Sequence, residues 1–331
     1  MKGKTVDYLY LVAGAVLLVA FFTYMIAMPG NSYRGELPPL DDRGLGMAIR
    51  LERHVTELCR NPAGRNYIEK RGLDAARVYI AGQLRSSGYS VNFQEYTIGG
   101  NAYANIEAEL TGTSKPGEIV LIGAHYDAVI GAPGANDNGS GVAALLELAD
   151  SLKDKRFPRT ARFVAFVNEE PPLFMTSEMG SYVYAERARK NGDGIVAMFS
   201  LETIGYYRDE PGSQHYPPPF SFFYPDRGNF IAFVGNLGSR TLARRVIRLF
   251  REQATFPSEG IAAPSFIPGI NWSDHWSFWK QGFPAIMITD TALYRYPYYH
   301  SPLDTPDKVD YEKMVYVVRG MQNVIEELLR R

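Results

Sequence analysis

Glu118–Leu152 reads EIVLIGAHYDAVIGAPGANDNGSGVAALLELADSL. Its first six residues, Glu118–Gly123, form a continuous apolar run, the pattern of a strand buried on both faces. Gly139 to Leu152 reads as a helix, with Val142, Leu145, Leu146 and Leu148 on its apolar side. Glycines and small residues between the two let the chain turn tightly and start a helix close to a sheet. The same alternation continues downstream. Ala161–Val167, Ile195–Leu201, Phe230–Val234 and Pro284–Thr289 read as strands. Ser177–Lys190, Gly238–Glu252, Asp274–Lys280 and Tyr311–Leu329 read as helices. Upstream lie helices over Leu45–Leu58 and Leu73–Ser87, then strands over Tyr89–Tyr96 and Asn105–Leu110. Strands alternating with helices predict an α/β fold: a three-layer α/β/α sandwich around a central, mostly parallel mixed sheet. Residues 46–331 form this one domain. Arg208–Gly228 (RDEPGSQHYPPPFSFFYPDRG) breaks the rhythm and reads either as a functional lid or as a plain surface excursion.

The N-terminus reads differently. Tyr8–Met28 contains no charged residue, and as a helix would be about 31 Å long, enough to cross the hydrocarbon core of a bilayer. Lys2 and Lys4 precede it, and no basic residue follows before Arg34. The expectation is a cytoplasmic tail (1–7), a single transmembrane helix (8–28) and a linker (29–45), with the main domain on the extracytoplasmic side. A cleaved signal peptide is the rival reading. The apolar run is long for one, and Met25-Ile26-Ala27 is a poor cleavage site.

Of the 331 residues, 46% are hydrophobic, so a sizeable core is available without disulfides. The single cysteine, Cys59, has no partner and reads as a small core residue. A net charge of −1 with no basic run argues against nucleic acid as a partner. His54 and His215 read as surface residues.

Five residues have the chemistry of a metal site: His125 in GAHYD, Asp137 in GANDNGSG, Glu170 in FVNEE, Glu202 in SLETIG and His300 in YYHSPLDTPD. Most stand where an apolar strand gives way to a loop, the edge at which open α/β sheets place their sites. Taken singly, each has a plainer reading. A histidine after a strand is commonly a hydrogen-bonded loop residue, and Asp137 would cap a helix. Together, two imidazoles and three carboxylates suit a pair of zinc ions with one carboxylate bridging. His125 and Asp127 leave the same face of a strand, so Asp127 is placed to orient the imidazole. Glu169 and Glu170 are adjacent carboxylates at a strand end. One would bind metal and the other accept a proton from water. We assign Glu170 as ligand and Glu169 as base, although spacing alone allows the reverse. Glu202 is either a ligand or a carboxylate behind one.

The ordered set His-x-Asp, GANDNGSG, Glu-Glu, an acidic residue before a glycine, Ser273-Asp274-His275, and Tyr-x-His-x-x-x-Asp-Thr resembles the di-zinc aminopeptidase family. That family also holds glutamate carboxypeptidase II, the transferrin receptors and glutaminyl cyclases. The resemblance covers Gly46 to the C-terminus. It implies that Asp137 bridges two zinc ions, that His125 and Glu202 complete one site, and that Glu170 and His300 complete the other. It further implies Glu169 as general base, Asp127 as support for His125, and a peptide substrate recognised by its free α-amine. Two departures stand out. Glu202 occupies a position where the family usually has Asp, and EEPPLFMTSEMGS is longer than the family's usual turn. Asp274 and His275 read as groups behind the ligands or lining a pocket. Tyr206, Tyr207, Phe222, Tyr224, Trp272, Trp276 and Tyr294 are candidates for an apolar side-chain pocket. The alternatives on the same fold are a one-zinc glutaminyl cyclase-like acyltransferase, and a carboxypeptidase or N-acyl amino acid hydrolase. A non-catalytic receptor-like domain is the alternative of another class.

Overall fold

The computed structural model describes residues 10–60 and 64–331, together with the backbone of 2–9 within a helix. The centre of the molecule is one eight-stranded sheet, ordered β1-β2-β4-β3-β5-β8-β6-β7. Its strands are β1 (Val91–Ile98), β2 (Asn101–Leu110), β3 (Lys115–His125), β4 (Arg159–Phe166), β5 (Gly194–Glu202), β6 (Ile231–Asn236), β7 (Ser258–Ala263) and β8 (Ala285–Thr289). The pairs β4–β3, β3–β5, β5–β8 and β6–β7 are parallel. The β1–β2 hairpin, β2–β4 and β8–β6 are antiparallel. The sheet is therefore mixed and mostly parallel, as expected. β7 was not foreseen: its SEGIAA sequence is short, lacks alternation and is only half apolar.

Helices cover both faces. One layer holds α2 (Asp42–Leu58), α3 (Lys70–Ser86), α4 (Gly141–Leu152), α6 (Arg240–Gln253) and α8 (Tyr311–Arg330). Its core takes Val120, Ile122 and Ala124 from β3 and Ala197, Phe199 and Leu201 from β5. On the opposite face α5 (Gly180–Asn191) and α7 (His275–Lys280) cover Ile119 and Leu121 of β3 and Met198 of β5. Alternation along a strand then decides where the functional side chains point. His125 has the parity of Ile119 and Leu121, and Glu202 that of Met198, so both emerge on the α5/α7 face at the carboxyl ends of neighbouring strands.

Close backbone approach explains one glycine of the central motif. A Cβ on Gly141 would lie 2.3 Å from Asn138 Oδ1 and 2.4 Å from the Leu201 carbonyl oxygen. Only glycine lets α4 begin against the end of β5.

The N-terminal helix α1 (Lys2–Ile26) carries the stretch read as an anchor. Among the described residues no helix is long and apolar enough to cross a membrane, so the transmembrane span over 8–28 rests on sequence alone. The segment read as a linker lies along the domain. Ser258 N donates to Ser32 Oγ at 2.8 Å, and Arg319 pairs with Asp41 at 2.6 Å. His54 departs from expectation: it is buried on α2, 2.7 Å from Tyr79 Oη and 3.5 Å from Glu147. Its helix turns that side inward. His215 is exposed, as expected.

Candidate metal centre

β3 delivers His125 at its last residue, and two residues later Asp127 anchors the neighbouring loop. Asp127 Oδ1 accepts from Glu169 N at 3.1 Å, and its Oδ2 from Glu170 N at 3.0 Å. The carboxylate thus fixes the backbone of the glutamate pair at the end of β4. Its hold on His125 is looser: the imidazole Nδ1 lies 3.2 Å from the Asp127 carbonyl oxygen and 3.5 Å from Oδ1. The orienting role expected of Asp127 is therefore shared between its backbone and side chain.

The turn that carries Asp137 is held from three directions. Asp304 Oδ1 accepts from Asn136 N at 2.8 Å and Oδ2 from Asp137 N at 3.1 Å. Tyr296 Oη donates to Asp304 at 2.6 Å. Asn136 donates to Asp290 and accepts from Gly205 N, while Asn138 donates to the Leu201 carbonyl and accepts from Thr203 N. The turn before α4 is thereby tied to the loop that follows Glu202. Neither Asp304 nor Asp290 was singled out in the sequence. The signal for Asp304 was its place in Tyr-x-His-x-x-x-Asp-Thr; Asp290 stands in no motif.

All five expected ligands converge. His125 Nε2 lies 3.4 Å from Asp137 Oδ1 and 3.2 Å from Glu202 Oε2. His300 Nε2 lies 3.0 Å from Asp137 Oδ2 and 3.2 Å from Glu170 Oε2. The two oxygens of Asp137 therefore face different histidines. Glu169 Oε2 is 3.8 Å from His125 Nε2 and outside the His300 group. Glu202, the unusual glutamate, is held by Ser273 Oγ at 2.7 Å, which in turn meets Ser200 Oγ at 2.8 Å. Tyr299 stacks on the His300 ring with centroids 3.9 Å apart.

These residues fit a metal. Asp137 Oδ2 and Glu170 Oε1 are buried without a hydrogen-bond partner, although imidazole nitrogens stand close by. Two ligands of a tetrahedral zinc, each about 2.0–2.1 Å from the ion, are about 3.3 Å apart, the spacing seen here. Charge agrees. Asp137, Glu169, Glu170, Glu202 and Asp274 are buried around two imidazoles, an arrangement that a dication relieves. Burial pushes the Glu170 carboxyl up to about 7, and the Asp137 charge adds to it. Burial also raises Glu169 well above the carboxylate range, against the pull of His125. Burial acts to lower His300, yet the Asp137 and Glu170 carboxylates against it raise it to about 10. Asp274 is raised to about 7, burial being the main cause, and both its oxygens lack partners. His275 Nε2 meets the Ile270 carbonyl at 2.8 Å, and burial lowers its pKa to about 4. Neither Asp274 nor His275 belongs to the ligand clusters.

An apolar pocket opens beside the centre, touching Glu202 and Tyr299 and walled by Tyr216, Phe220, Tyr224, Phe230, Ile270, Trp272, Met287 and Tyr294. Of the seven aromatics expected to line a pocket, Tyr224, Trp272 and Tyr294 do so. Tyr206 and Tyr207 are buried elsewhere, Phe222 is solvent-exposed, and the Trp276 ring packs tilted against Tyr182. The 208–228 excursion is closed at its base by Arg208 N donating to the Gly228 carbonyl at 2.8 Å, and supplies one wall of this pocket.

The chain has relatives in sequence and in fold. The chain is 41% identical over 282 residues to the uncharacterised protein YfbL of Escherichia coli K12, covering 82% of this chain and 85% of YfbL. It spans 51% of the length of two further relatives, from Pyrenophora tritici-repentis and Pyrenophora teres. The fold superposes on BSAP, a zinc aminopeptidase from Bacillus subtilis, with a TM-score of 0.66 at 16% identity, covering 86% of this chain and 95% of that one. It superposes on a glutaminyl cyclase from Fimbriiglobus ruber with a TM-score of 0.62 at 20% identity, covering 91% and 99%. Residues 105–325, which carry every ligand candidate, match peptidase family M28, and the chain belongs to that family.

Proposed function

We propose that the chain is a zinc-dependent aminopeptidase with two metal sites sharing Asp137. The observation that carries the reading is the two-sided presentation of Asp137, one oxygen toward His125 and the other toward His300. His125 and Glu202 would complete one site, and Glu170 and His300 the other. Zinc bound there supplies a polarised carbonyl and a water acidic enough to attack near neutral pH. Glu169 is buried and free of the His300 group, so it takes the proton of the attacking water and returns it to the leaving amine. Asp127 keeps Glu169 and Glu170 in register through their amide groups. The apolar pocket beside Glu202 favours an apolar side chain on the residue released.

Hydrolysis of leucyl-p-nitroanilide beside its N-acetylated twin tests the reading. Cleavage of the free-amine substrate alone, lost on chelation and restored by zinc, is expected. Release of p-nitroaniline from the acetylated twin as well would show that no free α-amine is required and would overturn the aminopeptidase reading. A glutaminyl cyclase-like acyl transfer on the same fold would instead require about one zinc per chain and cyclisation of N-terminal glutamine.

The membrane reading of α1 is also a proposal. It is supported by the uncharged run Tyr8–Met28 and by the exposure of Tyr10, Leu11, Leu17 and Val19, each 65% or more. The main domain would then lie on the extracytoplasmic side.

A further inference from the structure

We propose that the mouth of the apolar pocket lies in the lipid interface beside α1, so that the enzyme draws its substrates from membrane-bound peptides. The inference rests on the readings of α1 as an anchor and of the metal centre as a peptidase. α1 does not swing free of the domain. Met25 is 1% exposed and belongs to the same apolar cluster as Phe220, Phe230 and Ile270. Those three residues also wall the pocket. The Phe22 ring stacks on Phe223 at 5.7 Å and meets Phe220 at 6.2 Å.

Arginines of α6 then fasten the end of the helix. Arg240 donates to the Tyr24 carbonyl at 2.8 Å and lies 3.8 Å over its ring. Arg244 donates to the Ala27 carbonyl, and Arg251 to those of Pro29 and Gly30 at 3.2 and 3.0 Å. The Tyr24 carbonyl is one that the helix end leaves without a partner, at the pole where a cation is favourable; the other three lie in the chain just beyond it. The pocket therefore has a fixed position relative to the helix.

That position is shallow. Phe22 stands six residues before Met28, the end of the uncharged run, or roughly 9 Å along a helix. Phe223, stacked on Phe22, therefore lies within roughly 9 Å of the level where the run leaves the hydrocarbon. Phe222, next to it in the chain, is 86% exposed, Phe266 is 84% exposed, and Trp272 is 39% exposed at the pocket wall. Phe266 adjoins Ile267, which packs on the same cluster. Aromatic side chains grouped beside an apolar helix end match the belt that membrane proteins place at the headgroups, and in water they would be an uncovered patch.

The test uses the full chain in phosphatidylcholine nanodiscs with two substrates of one leucyl sequence, one soluble and one carrying a C-terminal palmitoyl chain. Phe222→Asp and Phe266→Asp change exposed residues outside the pocket wall. Each is expected to lower kcat/KM for the palmitoylated peptide by about tenfold and to leave the soluble peptide unchanged. Equal effects on both substrates, or none on either, would overturn the proposal. Brominated lipid is expected to quench the emission that Trp272→Phe removes. An unquenched Trp272 in a chain that resists alkaline carbonate would overturn the interface while leaving the anchor. Release by carbonate would overturn both. Failure to cleave even the soluble peptide would overturn the peptidase reading, with the quenching result still deciding the geometry.

Discussion

Replacing Asp304 by alanine should weaken zinc binding without touching a ligand. Asp304 is fully buried and accepts three hydrogen bonds: from Asn136 N at 2.8 Å, Asp137 N at 3.1 Å and Tyr296 Oη at 2.6 Å. Alanine leaves three buried donors unpaired. At about 1–3 kcal/mol for each stranded donor, less what entering water recovers, the turn loses roughly 3–6 kcal/mol of local stabilisation. That turn aims Asp137 at both histidines, so its loosening reaches the two metal sites together. Groups behind metal ligands typically govern about 10–100-fold in affinity, equivalent to about 1.4–2.7 kcal/mol. Competition against a chromophoric chelator would measure the zinc dissociation constants, and thermal melting with and without zinc would measure the coupling to stability. Asp304→Asn keeps one acceptor oxygen but turns an amide N–H toward a donor, so it should fall between wild type and alanine. An alanine variant that binds zinc within about twofold of wild type, with the same zinc-dependent rise in Tm, would refute the reasoning.

Two further outcomes follow from the same geometry. Glu169→Gln should abolish turnover, by about 10²–10⁴-fold, while zinc content stays at the wild-type level. Unchanged rates would mean that another group takes the proton. Glu147 is a structural case: it accepts from Arg50 at 2.7–3.1 Å and lies 3.5 Å from His54, tying α2 to α4. Burial pushes its carboxyl up, but His54 and Arg50 outweigh burial and hold it below the ordinary 4.5. A depressed folded pKa means that the stabilisation is fully present above the unfolded value, 4.5, and is lost as pH falls through the folded one. Glu147→Gln should therefore cost about 1–2 kcal/mol at pH 7, a discounted figure because Arg50 is partly exposed. Urea titrations should show that difference shrinking as the pH is lowered toward 3. A deficit independent of pH would refute the ion-pair account.

Much of the site was legible because its pieces are local. An apolar run that ends in His-x-Asp, or in Glu-Glu, displays both a strand and what stands at its end. The αβ alternation was legible for the same reason, since side-chain periodicity is a property of a few consecutive residues. β7 escaped because a short edge strand needs little apolar sequence: SEGIAA pairs with β6 on one side only. His54 escaped because its burial depends on α4 arriving with Glu147, 93 residues away. Four of the seven candidate pocket aromatics lie outside the pocket because position in sequence does not say which side of a loop faces the cleft.

By itself the sequence determined the residue types, their order and the strand ends that bear them, and with these the class of fold and the metal chemistry. Parity along β3 and β5 was implicit in it as well. Only the tertiary structure decided which oxygen faces which histidine, and that Asp127 holds the Glu169 and Glu170 amides more closely than it holds the imidazole. Only there do Asp304, Ser273 and Asp290 become part of the centre. The physical reason is distance. Hydrogen bonds and ligand contacts act over about 3 Å, and the partners here stand up to 168 residues apart in the chain. No local periodicity carries that information; it arises when the sheet brings the strand ends side by side.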